Sequence, residues 1–143
     1  MTDLVLACLH HLLAFGLVAH VAAQTALARR GLDAAGLRKL GRLDIGYGIS
    51  AVLLLIVGFA RVYWGAKGPA FYLHNPVFHA KVGAFLFVGV LSILPTVRIA
   101  QWRKRGEVVA GQFAAVRGLL LAELGVLACI PLLAAAMARG YGL

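Results

Sequence analysis

Four stretches of this chain are apolar over roughly twenty residues or more, the length an α-helix needs to cross the hydrocarbon core of a bilayer. They lie at about 4–28, 45–64, 76–102 and 113–138. The chain is 62% hydrophobic and 13% charged, against roughly a quarter charged in a soluble domain. That balance excludes an ordinary water-soluble fold. Nothing resembles a soluble module or a linker, so residues 1–143 are expected to form a single transmembrane domain. Its fold class is all-α, an integral membrane four-helix bundle.

A net charge of +9 and a pI near 10.4 would suggest nucleic acid in a soluble protein, but the positions of the charges say otherwise. Five of the fourteen Lys and Arg residues fall between Arg29 and Arg42, and four more between Arg98 and Arg105. Both clusters flank apolar runs, the pattern of cytoplasmic loops that face anionic head groups. The N- and C-termini are therefore expected on the non-cytoplasmic side, with the lipid bilayer as partner and no nucleic acid. The first stretch is not read as a cleavable signal, because Asp3 precedes it, no Lys or Arg does, and Arg29 and Arg30 follow it. Cys8 and Cys129 sit in apolar runs without paired spacing, so they read as small buried hydrophobes rather than a disulfide framework.

Local signals mark the helix ends. The second span runs into Gly65, Gly68 and Pro69, and Tyr63, Trp64 and Tyr72 suit an interfacial aromatic belt. Asn75 and Pro76 read as an N-cap and a first helical residue for the third span, which Pro95 would kink. Pro131 falls late in the fourth span and Gly140 beyond it. Between the first two spans, Leu32, Leu37, Leu40 and Leu43 alternate with Arg38, Lys39 and Arg42. That spacing predicts a short amphipathic helix lying on the membrane surface, with Asp44 at the N-terminus of the second span. Gly46, Gly48 and Gly58 would let a neighbouring helix approach closely.

Ionisable groups inside spans are rare and usually face the bundle interior. Here they are His10, His11, His20, Arg61, His79, Lys81 and Glu123. With the termini outside, His10, His11, Arg61, His79 and Lys81 converge on one depth near the outer surface. Neutral imidazole ligates haem iron, and cations pair with propionates. His10 or His11, and His79, are thus candidate ligands for haem b or another metal, with Arg61 and Lys81 as candidate propionate or substrate contacts. Adjacent helical residues point about 100° apart, so His10 and His11 cannot both face one iron. Helix packing by histidine and snorkelling of Arg61 and Lys81 are the plainer explanations of the same residues. Glu123, near the middle of the fourth span, must be protonated or paired, and His20 is a candidate partner in a proton relay. Lys81, Arg61 and Glu123 are the candidate catalytic groups.

The stretch Leu9-His10-His11, Gly58 to Arg61 with Trp64, the run from Gly65 to Tyr72, and Val77-Phe78-His79-Ala80-Lys81-Val82 together resemble an uncharacterised bacterial family of four-helix inner-membrane proteins over nearly the whole chain. More distantly, the arrangement is similar to the small membrane protoporphyrinogen oxidases and to the transmembrane domain of copper-resistance D proteins. The shared features are an early histidine, a cation at the outer end of the second helix, and a His shortly before a Lys in the third. That resemblance implies a b-type haem held by His10 or His11, with Lys81 at a propionate or substrate. The doubled histidine and Glu123 depart from it.

The expected function is thus a haem-binding protein of the bacterial inner membrane with a redox role, electron transfer or oxidation of a small, hydrophobic, tetrapyrrole-like substrate. A metal or proton-coupled transporter using His10, His11, His79 and Glu123 is the second expectation, and at this size it would act as a homo-oligomer. The third is an assembly factor whose polar residues only tie helices together. Ser50 and Ser92 have no acid and base at usable positions, so a hydrolase is excluded.

Overall fold

The computed structural model describes residues 2–142. The first helix, α1 (Thr2–Leu27), places Asp3 in its opening turn, where an acidic side chain favours the positive end of the helix dipole. A short link containing Gly31, at φ 74°, turns the chain back on itself. Asp33 then caps α2 (Ala34–Trp64), its carboxylate accepting from the Gly36 N–H at 2.7 Å.

That cap overturns two expectations. The segment expected to lie on the membrane surface at 31–43 is instead the opening of α2, and Asp44 sits inside that helix rather than at its start. The physical reason is the destination of its leucine stripe. Leu37 and Leu40 are fully buried against Ala28, Ile99, Trp102, Val116 and Leu120, while Arg38, Lys39 and Arg42 lie exposed on the opposite face. An apolar stripe that can pack against three other helices has no need of a lipid surface. At 31 residues, α2 is about 46 Å long, so its basic opening turns extend beyond a core of about 30 Å.

At its other end, α2 stops at Gly65, whose N–H still bonds to the Arg61 carbonyl at 2.9 Å. A short helix, α3 (Gly68–Leu73), follows, with Pro69 in its first turn. Asn75 then caps α4 (Pro76–Arg105), accepting from the Val77 N–H at 2.8 Å, with Pro76 at the first helical position as expected. α4 continues through Pro95 and ends three residues later than expected, at Arg105; Gly106 beyond it adopts the left-handed conformation (φ 80°) and closes the last turn on the Trp102 carbonyl. The final helix, α5 (Ala110–Ala138), contains Pro131. The Asn75 amide also donates to the Tyr141 carbonyl at 3.3 Å, tying the tail after α5 to the start of α4.

Among the described residues all regular structure is helical, and α1, α2, α4 and α5 are long and apolar enough to span a membrane. The backbone of each approaches those of its two neighbours in the ring α1–α2–α4–α5, most extensively α1 along α2 and α4 along α5, while across the diagonals the helices meet through side chains. Large apolar residues such as Leu12, Phe15, Ile49, Ile56, Val90 and Leu132 face outward, as they should when the solvent is lipid. The protein is a multi-pass membrane protein. Three core clusters stack along its axis: Leu37, Leu40 and Trp102 at the end bearing the basic loops, Leu17, Val21, Tyr47, Val88 and Leu127 in the middle, and Val62, Tyr72 and Met137 at the end bearing the termini.

Candidate functional site

His10 points into the bundle. Its ring lies alongside Gly58 of α2: a Cβ at that position would meet His10 Cε1 at 3.5 Å, an ordinary van der Waals contact. His10 Nδ1 is buried and has no hydrogen-bond partner. Arg61, one turn beyond Gly58 and half-buried, keeps its Nε buried and equally unpartnered. Lys81 enters from α4 with its Nζ 6.0 Å from the centroid of the Phe78 ring. The groups whose charge bears on the His10 ring are Lys81, Arg61 and His11, all of them basic. Three helices thus bring an imidazole and two cations to one place; Asp3 lies against Gly65, one turn beyond Arg61, and among the described residues no acidic charge bears on His10, an arrangement that favours an anionic occupant.

The other candidates of this layer turn away. His11 is exposed, edge-on to His10 with ring centroids 6.1 Å apart, and its Nδ1 lies 2.7 Å from the Ala7 carbonyl, to which it donates. His79 is exposed as well, and its Nδ1 reaches back 3.0 Å to the Asn75 carbonyl in the turn that opens α4. Among the described residues no three of the His, Cys, Asp and Glu side chains gather as a metal-binding group, so His10, His11 and His79 do not form one. The cause is helical geometry: neighbours on one turn diverge, and a free ring nitrogen one turn from an open carbonyl bonds to its own helix.

A second polar layer lies deeper. Glu123 on α5 is 1% exposed and its Oε1 has no partner; Gln24 on α1 is 2% exposed and its Nε2 has none. The Tyr47 side chain, on α2, faces Glu123 and neighbours Ser92 of α4. A cleft of about 310 Å³ between α2 and α4 is lined by Asp44, Tyr47, Gly48, Phe85, Ser92 and Thr96, and the Thr96 hydroxyl donates to Asp44 at 2.9 Å. His20 does not join Glu123. Its ring packs against Gly46, where any Cβ would collide with it, and its Nδ1 bonds to the Gly16 carbonyl at 2.7 Å. Arg117 also leaves Glu123 alone, donating to the Thr25 and Ala28 carbonyls at 2.9 and 3.1 Å and so satisfying the end of α1.

Residues 2–142 match the family model described as "Predicted membrane protein (DUF2214)". The chain belongs to this family. No curated protein and no solved structure matches it. Sequence reasoning missed Gln24, Tyr47 and Ser92 as members of the inner layer and took Asp44 for a helix start. A usable signal existed for Gln24, an amide set among alanines and valines inside a span; Tyr47 gave none, because tyrosine is equally at home facing lipid head groups.

Proposed function

We propose that this protein binds b-type haem near the end of the bundle that bears its termini, and that its role is redox: electron transfer or oxidation of a tetrapyrrole-like substrate. The observation that carries the reading is His10 Nδ1, buried without a partner beside Arg61 and Lys81, with no acidic charge among the described residues bearing on it. The donor set fits the group, since one neutral imidazole would serve as an iron ligand and two cations would pair with two propionates. In this arrangement His10 is the ligand and His79 is not. Arg61 and Lys81 would hold the carboxylates, with Gly58 of α2 alongside His10. When bound, haem supplies the one-electron chemistry. The protein's own contribution is the anchoring, the charge balance and an apolar surround.

An ultraviolet–visible spectrum of detergent-purified protein, oxidised and then reduced with dithionite, tests this. A Soret band is expected in the wild type and in His11→Ala, and its loss in His10→Ala. A colourless preparation from haem-replete cells would sink the reading, and so would a band indifferent to His10→Ala.

The basic loops are placed on the cytoplasmic side of a bacterial inner membrane, with both termini opposite. The clusters from Arg29 to Arg42 and from Arg98 to Arg105 support this. In a Cys8→Ser, Cys129→Ser background, a cysteine at position 67 is expected to react with an impermeant maleimide on intact cells, and one at position 39 only after permeabilisation. The opposite pattern would invert the orientation and move the His10 cluster to the cytoplasmic leaflet.

A further inference from the structure

Two polar side chains that the outer cluster does not use lie where the basic-end and middle core clusters join. Gln24 falls between Val21 of the middle cluster and Ala28 of the basic-end cluster; Glu123 falls between Leu127 and Leu120, of the same two clusters. The two are therefore level with one another on α1 and α5, helices in direct contact. At 1% and 2% exposure they are sealed from the surroundings, and each presents an unpartnered atom, an acceptor oxygen on Glu123 and a donor nitrogen on Gln24. A buried polar atom without a partner is costly, and a bare carboxylate in an apolar interior far more so.

The charged and titratable groups around Glu123 do not supply a counter-ion. From α2 come Tyr47 and Asp44, the second of the same sign as Glu123 itself. From α1 comes His20, seated against Gly46 and bonded to Gly16. From α4 come only the Ser92 and Thr96 hydroxyls, through the cleft. On α5 the guanidinium of Arg117 is occupied by the carbonyls that end α1. The partner left for the carboxyl is a proton.

A proton needs a way in, and the cleft between α2 and α4 offers one. Its volume of about 310 Å³ is about ten times the share of one water in the liquid. Asp44 and Thr96 line it on the side toward the basic loops, and Tyr47, which faces Glu123, lines it further in with Ser92. We propose that Glu123 is a proton-exchange site in the middle of the membrane, loaded and unloaded through Tyr47, Ser92 and Asp44 along this cleft. On unloading, the carboxyl O–H bond breaks and a water entering the cleft takes the proton; loading is the reverse, and no electron moves. The site uses none of the residues assigned to haem and does not rest on that reading.

Infrared spectroscopy of the full-length protein reconstituted in lipid tests the proposal. A C=O stretch of a protonated carboxyl is expected in the wild type. It should shift in D₂O, fade reversibly as pH rises and vanish in Glu123→Gln. Tyr47→Phe and Asp44→Asn should each slow the deuterium exchange by about tenfold or more. A band that persists unchanged at every pH and after prolonged D₂O would mark a locked structural carboxyl and overturn the proposal. So would its loss in Asp44→Asn alone, which would assign it to the wrong carboxyl. A second measurement needs no variant: a membrane-permeant carbodiimide, which attacks protonated carboxyls, followed by peptide mapping of the wild type. Adduct at Glu123 is expected, forming about tenfold more slowly for each pH unit above the midpoint. Absence of adduct, or a rate indifferent to pH, would also overturn it.

Discussion

Trp102→Ala is expected to lower the unfolding free energy in detergent by about 3 kcal/mol, the lower end of the range of about 3–5 kcal/mol for large aromatic truncations. Trp102 is wholly buried, and it is the largest fully buried side chain among the described residues. It sits in the cluster where α1, α2, α4 and α5 all meet, against Leu37, Leu40 and Leu120, and its Nε1 donates to Gln112 at 3.1 Å. The lower end applies because the exterior of the bundle is itself apolar, so the transfer part of the cost shrinks. The cavity remains, since the dispersion contacts around a vacated indole have no replacement. Trp102→Phe keeps most of the volume and strands the Gln112 oxygen, at about 1 kcal/mol. Trp64, 70% exposed, serves as the contrast, and Trp64→Ala is expected to leave stability within about 0.5 kcal/mol. Equal unfolding midpoints for Trp102→Ala and Trp64→Ala would contradict the position assigned to Trp102.

The four spans were legible because a bilayer demands a length and a polarity that few other environments demand. Their interior faces were not. In a soluble bundle an apolar stripe names the buried side; here the lipid side is apolar too, so the pattern along α1 or α5 does not distinguish Leu17 from Phe15, although one is buried and the other exposed. Polar residues carry what signal there is, and they left His10 and His11 as alternatives. The structure separates them through Gly58, a contact between helices that spacing within one helix cannot reveal. The opening of α2 shows the same limit. Leu32, Leu37 and Leu40 suited a membrane surface as well as a bundle core, and only the presence of Ile99, Trp102 and Leu120 decides between them. The cap was nonetheless readable: Asp33 followed by Ala-Ala-Gly is an N-terminal signal as good as Asp44, and it lies eleven residues earlier.

Replacing Arg61 and Lys81 together by glutamine is expected to move two quantities in opposite directions. Each side chain is assigned one carboxylate, and a charge-assisted hydrogen bond is worth about 1.5–3 kcal/mol. Loss of both should therefore weaken haem binding by roughly 10²- to 10⁴-fold. The ligand-free protein should become more stable, because Arg61 and Lys81 lie within electrostatic reach of one another, and removing like charges from a poorly solvated site relieves their repulsion. A purely structural role predicts the reverse for stability: two cations serving to hold helices would leave the bundle weaker when removed. Snorkelling toward the head groups predicts that neither quantity changes. Haem titration followed by quenching of tryptophan fluorescence, run beside detergent unfolding of the ligand-free protein, separates the three. An affinity within about twofold of wild type would remove Arg61 and Lys81 from the ligand, whatever the stability does. A weakened affinity together with a destabilised ligand-free bundle would mean that the cations shape the site by packing rather than by charge. Only the opposed pair of changes, weaker binding and a firmer empty bundle, is the behaviour of a site built to be neutralised by its occupant.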